Sequence, residues 1–152
     1  MFDDDPLKKI SDALNLNITD NQEKLWFYKT LFDAIPNLIF YKNTSGVYKL
    51  CNKAFRDFLG LEEKDILDKG IYEVSPHEMA TVYAEADLKL LKNKGIQTYE
   101  TRLQYADGTF HDIVTSKGLH YSLSGETIAI IGIIHDISEK KAAEREITML
   151  HQ

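Results

Sequence analysis

The sequence predicts an α+β fold with an antiparallel sheet. Three observations lead there. Segments rich in β-branched and aromatic residues come as a pair early in the chain and as a trio late in it, with helical periodicity between them. The last three segments meet at Asp107-Gly108 and at Ser124-Gly125, dipeptides that suit tight hairpins. The final segment, Ile128 to Ile134, is apolar at every position, so its strand must be covered on both faces rather than facing water on one.

Residues 1–35 read as an N-terminal extension ending in a flanking amphipathic helix. Pro6 after Asp5 can open a short helix with Leu7, Ile10 and Leu14 on one side. Asp20 and Glu23 have the D-x-x-E spacing of a reciprocal N-cap for the helix that follows. That helix carries Leu25, Tyr28, Leu31, Phe32 and Ile35 on one side, widened by Trp26 and Phe27, and Pro36 ends it.

Residues 36–137 form the core. "NLIFYKN" and "VYKLCN" are strands about the turn "TSG", where Gly46 can take positive φ. "KAFRDFLG" is a short helix closed by Gly60, and "EEKDILDKG" another closed by Gly70. The longest helix lies within "SPHEMATVYAEADLKLLKNKG", with Ser75 as cap, Pro76 in the first turn and Gly95 just past the end. Met79, Val82, Tyr83, Ala86 and Leu90 line one side of it. The strands "QTYETRLQY", "TFHDIVTSKGLHY" and "TIAIIGIIH" complete the core. Residues 138–152 begin a charged helix, joined to the last strand with no Gly or Pro between. Asp136 with Glu139, or Ser138 instead, can cap it.

Composition narrows the function. The chain of 152 residues is 43% hydrophobic and 28% charged, an ordinary globular balance. A net charge of −6, with no Lys/Arg-rich face, argues against a nucleic-acid partner. One cysteine, Cys51, allows no disulfide within the chain and fits a reducing compartment. There is no basic segment followed by an apolar one at the N-terminus, and the longest apolar run is too short to span a bilayer. The expectation is a cytoplasmic chain without membrane contact of its own, whose parent could still be anchored elsewhere. No Gly-rich phosphate loop and no Ser-His-Asp or Cys-His set is readable, so no catalytic residue is assigned. His77, His111, His120, His135 and His151 lack metal-ligand spacing, so no metal is expected. A tight last hairpin would set His135 near Asp112 and Asp136 near His111.

The ordered set "IFYKNTSGVYKLCNKAF", with Asn52 and Phe55 in Asn-x-x-Phe spacing, then Gly60, "YADGTF" and "GIIHDISEKKAAE", resembles a PAS sensory domain. The resemblance covers roughly residues 27–140. It implies a five-stranded antiparallel sheet of order 2-1-5-4-3 with helices on one face, enclosing a small-molecule pocket, in a regulatory module of a larger signalling protein. It also implies that the joint Asp136, Ile137 and Ser138 passes a signal to a C-terminal output helix. Ala143, Ile147 and Leu150 have the spacing of a coiled-coil seam, too short to establish one.

By position, the pocket lining would be Met79, Val82, Tyr83 and Ala86 from the long helix. Tyr99, Thr101, Leu103, Ile113, Thr115, Ile130 and Ile134 would come from the strands. A small organic ligand suits such a lining; a filled core is the plain alternative. The reactive-cysteine motif of the family's flavin photosensors is absent. The position of the haem ligand in its oxygen sensors falls near Tyr83, so both cofactors are disfavoured and the ligand stays unassigned. Leu25, Tyr28, Leu31 and Phe32 are expected to cover Ile131 and Ile133 on the outer sheet face, in a homodimer. The expected parent is a sensor histidine kinase of a two-component system with a covalently linked output domain. A cyclic-dinucleotide synthase or hydrolase, or a ligand-free interaction module, are the alternatives.

Overall fold

A computed structural model describes residues 21–151. The chain divides into two units, Met1–Ala34 and Ile35–Gln152. In the first, helix α1 (Asn21–Ala34) exposes Leu25, Trp26, Tyr28 and Leu31. The expected leading helix and the Asp20 cap lie outside the described residues.

The second unit carries β1 (Leu38–Asn43), β2 (Tyr48–Cys51), α2 (Lys53–Leu59), a 3-10 turn (Glu63–Asp65), α3 (Ile71–Val74) and α4 (His77–Asn93). Then come β3 (Gln97–Gln104), β4 (Phe110–Tyr121), β5 (Thr127–Asp136) and α5 (Ser138–Leu150). The strands form one antiparallel sheet in the order β2-β1-β5-β4-β3, the order expected. Among the described residues no helix is long and apolar enough to cross a membrane.

Local chemistry fixes the joints. Gly46 takes φ 83° in the β1–β2 turn, and the Asn43 side chain accepts from the N–H groups of Ser45 and Val47, 3.0 Å each. Asn52 is fully buried and holds three segments together. Its Oδ1 accepts from Phe55 N–H, capping α2, and from Ile39 N–H; its Nδ2 donates to the carbonyls of Ile35 and Asn37.

Two caps differ from expectation. Gly70 does not end the second short helix but begins α3, with ordinary φ −88°; Asp68 takes the left-handed conformation instead, at φ 65°. Ser75 ends α3, and α4 starts at His77 with no side-chain cap. Ile71–Val74, between the two segments expected to be helical, forms a helical turn of its own.

The sheet's inner face presents Leu38, Phe40 and Lys42 from β1. Opposite them stand Ile134, Gly132 and Ile130 from β5. Thr115, Lys117 and Leu119 of β4 continue the rows. Leu38, Phe40 and Ile134 join Tyr48, Phe55, Ile66, Ile71, Ala80, Leu103 and Ile113 in the hydrophobic core. Gly132 sits where a Cβ would lie 2.0 Å from the Phe40 ring, so the ring fills the place a side chain would take. The outer face carries Ile39, Tyr41, Ile131, Ile133 and His120. Ile133 is 40% exposed, and the Tyr41 hydroxyl meets His120 Nδ1 at 2.8 Å.

Candidate functional site: a lysine-lined cavity and the strand-to-helix joint

A cavity of about 40 Å³ lies between the inner sheet face and the helices. The structure brings Tyr83, Tyr99, Leu103, Ile113, Thr115 and Ile134 together on its wall. Phe40, Tyr48, Phe55, Phe58, Leu59, Ile71 and Ser75 complete it, with Lys42 and Lys117.

The remaining candidates fall elsewhere. Val82 is 57% exposed and faces away. Met79 lines an open groove with Arg102, Gln104 and Phe110. That groove shares Phe58, Leu59, Ser75, Tyr83 and Leu103 with the cavity and so adjoins it. Ala86 contributes its carbonyl, which accepts from Gln97 Nε2 at 3.1 Å. Ile130 is fully buried beside Lys42 and Leu119 in the sheet register, beyond the cavity wall. Thr101 stands opposite Ile113, and its buried hydroxyl has no hydrogen-bond partner among the described residues. The correction on α4 is a shift of phase. Its buried residues are Ala80, Asp87 and Leu90, whereas the large apolar residues Met79 and Val82 point outward.

The charged residues are what sequence reasoning missed. Lys42 and Lys117 are both buried, each side chain 2% exposed. Asp87 bridges them: Lys42 Nζ donates to one carboxylate oxygen and Lys117 Nζ to the other, the latter at 2.7 Å. Lys42 Nζ also lies over the rings of Phe40 (5.0 Å) and Tyr48 (5.4 Å), and Lys117 Nζ over Tyr99 (5.4 Å). Burial pulls the Lys42 ammonium below the usual lysine range; the charge and hydrogen bond of Asp87 oppose the shift, and Lys117 adds to it. Burial, followed by the Asp87 charge, raises the Tyr48 hydroxyl. Burial and then Tyr99 push the Tyr83 hydroxyl up to about 12. Both phenols therefore stay protonated at physiological pH. A signal existed in the sequence: Lys42 continues the Leu38–Phe40 alternation, and Asp87 continues the Ala80–Tyr83–Ala84 helical stripe.

Nothing metal-like accompanies this cluster: among the described residues no group of three His, Cys, Asp or Glu side chains could hold a metal ion. Cys51 is a buried core residue.

The cavity wall continues into the joint through β5. Two residues after Ile134, Asp136 accepts from Ser138 N–H at 2.9 Å and meets His111 Nδ1 at 2.5 Å. The His111 ring stacks on Tyr105, centroids 3.7 Å apart, and its Nε2 meets Thr109 Oγ1 at 2.7 Å. Burial pushes the Asp136 carboxyl upward, but the hydrogen bonds from Ser138 and His111 outweigh it and hold the group below the usual carboxylate range. Ile137 N–H donates to the Asp112 carbonyl (2.8 Å), and Asp112 N–H donates to Ser138 Oγ (2.9 Å). β4 is thus clasped from both sides of the joint, which extends the ladder into the first residue of α5.

No capping box forms with Glu139. Ile137 takes the cap position without a side-chain bond, because the Ser138 hydroxyl is committed to β4. His111 and Asp136 meet as the hairpin register suggests, but His135 bonds Asn37 (3.0 Å) rather than Asp112, which holds Arg145 (3.2 Å). Lys141 adds an ion pair to Glu100 at 3.1 Å.

A family model described as PAS fold matches residues 27–137. The aerobic respiration control sensor protein ArcB of Escherichia coli K12 is 30% identical over 115 residues, covering 76% of this chain and 15% of ArcB. The chain therefore spans only a small part of the curated relatives it matches. The PAS domain of BvgS from Bordetella pertussis superposes with a TM-score of 0.67 at 25% identity, covering 85% of this chain and 97% of that one. Vibrio cholerae VqmA, solved with ligand and DNA, shares the fold with a TM-score of 0.67 at 19% identity, over 80% of this chain and 53% of that one.

Proposed function

The chain belongs to the PAS family, and on that footing we propose that it is the sensory module of a signalling protein. In this reading it works in the cytoplasm, linked covalently to an output domain, and the parent is a sensor histidine kinase, as the likeness to ArcB favours. One observation carries the proposal. Ile134 lines the cavity, and the same strand runs without a loop into α5 through Asp136, Ile137 and Ser138. A change in cavity occupancy that moves β5 would move the start of α5 with it. The outer-face residues Ile131 and Ile133 and the exposed side of α1 are apolar, and a homodimer is the arrangement proposed to cover them.

A second reading has its own observation. The cavity is far below the few hundred Å³ of drug-sized ligand sites, which favours a ligand-free module that dimerises and transmits. Native mass spectrometry of the purified chain separates the two readings. A dimer with retained small-molecule mass supports the sensor. A dimer without added mass, even when purified at low volume and low temperature, favours the interaction module. A monomer contradicts the proposed cover of the outer face.

A further inference from the structure

Two lysines line the cavity, and their ammonium groups share one carboxylate, that of Asp87, which lies outside its wall. Both Asp87 oxygens are taken, one by each lysine. An ammonium has three donors, and among the described residues neither ammonium has a hydrogen-bond partner besides Asp87. With both lysines ionised, one buried positive charge has only the faces of Phe40, Tyr48 and Tyr99 as further partners, and such a charge either gains a counter-ion or is pushed towards its neutral form. Spare donors, excess positive charge and empty space therefore coincide in one place.

We infer that this is an anion site: Lys42 and Lys117 receive the carboxylate of a small monocarboxylate, whose apolar end lies against the aromatic wall. The wall supplies the second half of the recognition, since Phe40, Tyr48, Phe55 and Tyr99 line the same cavity. The size agrees. A space of about 40 Å³ admits a few water-sized groups, which suits a short-chain acid and excludes a nucleotide or a haem without rearrangement. The open groove past Met79 and Phe110 adjoins the cavity through shared residues. The inference rests on the sensory reading above and assigns the chemistry of its ligand.

The test is an amide NMR titration of the whole chain with sodium propionate and with propionamide, its neutral isostere, at matched ionic strength. Propionate is expected to shift the amides of Lys42, Thr115 and Lys117, with propionamide at least about tenfold weaker. Lys42→Met leaves Lys117 and Asp87 as a neutral pair, so it should keep a dispersed spectrum and lose the propionate response to a similar extent. Lys117→Met serves as the second variant. The wild-type comparison of the two compounds decides the matter even if both variants unfold. Equal responses to the two would overturn the anion inference while leaving a ligand pocket, and with it the sensory reading, in place. No propionate response at the cavity amides would also overturn it, and retained mass in the native spectrum would then judge the sensory reading separately.

Discussion

Replacing Asp87 by Asn should destabilise the chain far more than removing either lysine. The carboxylate lies between two ammonium groups in a nearly dry interior, with 11% of its side chain exposed. Its loss strands both charges, and breaking a buried pair typically costs about 3–5 kcal/mol. For a domain of this size that is a fall of roughly 10–20 °C in Tm. Lys42→Met leaves one matched pair and buries apolar atoms in its place, so it should change stability by less than about 1 kcal/mol. The pH dependence has a definite sign. The folded pKa of Lys42 lies below its unfolded value near 10.5, so between the two the unfolded chain binds more protons and stability rises with pH. Asp87 is what holds Lys42 up, so in Asp87→Asn that window widens and stability climbs more steeply towards alkaline pH. Urea unfolding followed by circular dichroism at neutral and mildly alkaline pH reads both effects. A loss below about 1 kcal/mol in Asp87→Asn, with unchanged m-value, would show that the three groups are not a coupled buried cluster.

Other perturbations follow from the same geometry. Gly132→Ala should cost about 1–3 kcal/mol in urea unfolding, since its Cβ would collide with the Phe40 ring at the centre of the sheet. Asn52→Ala removes the acceptor of two backbone N–H groups and the donor to two carbonyls; a loss of about 2–4 kcal/mol in the same assay is expected. Asp136→Asn weakens the acceptor for Ser138 N–H and His111, so amides at the start of α5 should exchange faster, with a stability loss near 1 kcal/mol. Because Asp136 titrates below its unfolded value, its contribution is present above about pH 4 and lost as pH falls through the folded pKa. Acid titration of the helix signal should therefore show a step that Asp136→Asn lacks.

The sequence made much of this legible, and the misses around the cavity share one cause. Alternation assigned the inner faces of β3 and β4: Tyr99, Thr101 and Leu103 stand among polar neighbours at period two, and Ile113 and Thr115 continue the same face across the hairpin. The same rule applied to "LIFYK" places Lys42 inward, and applied to β4 it places Lys117 two residues beyond Thr115. Charged side chains carry a strong expectation of solvent, and here that expectation concealed the pattern. Asp87 concealed the phase of α4 in the same way. Treated as polar, it removed the centre of the Ala80–Tyr83–Asp87–Leu90 stripe, and the larger Met79 and Val82 drew the face one residue too early. What makes these charges tolerable inside is a three-residue arrangement drawn from β1, β4 and α4, whose members are 30 and 45 residues apart in the chain. No local pattern contains it. The joint was clearer in outline than in detail: the stiff connection could be read directly, whereas the clasp on Asp112 depends on the register of β4 against β5.

The central claim is that the cavity and α5 are coupled through β5. Amide hydrogen exchange across residues 134–141, compared between the wild type and the cavity-filling variant Leu103→Phe, tests it most directly. Leu103 is on β3, with β4 between it and β5. The coupling predicts altered protection from Ile137 to Lys141 beyond the change in global stability, because β5 and the Asp112 clasp carry the displacement. Changes confined to β3 and β4, with Ile137 to Lys141 exchanging as in the wild type, would contradict it.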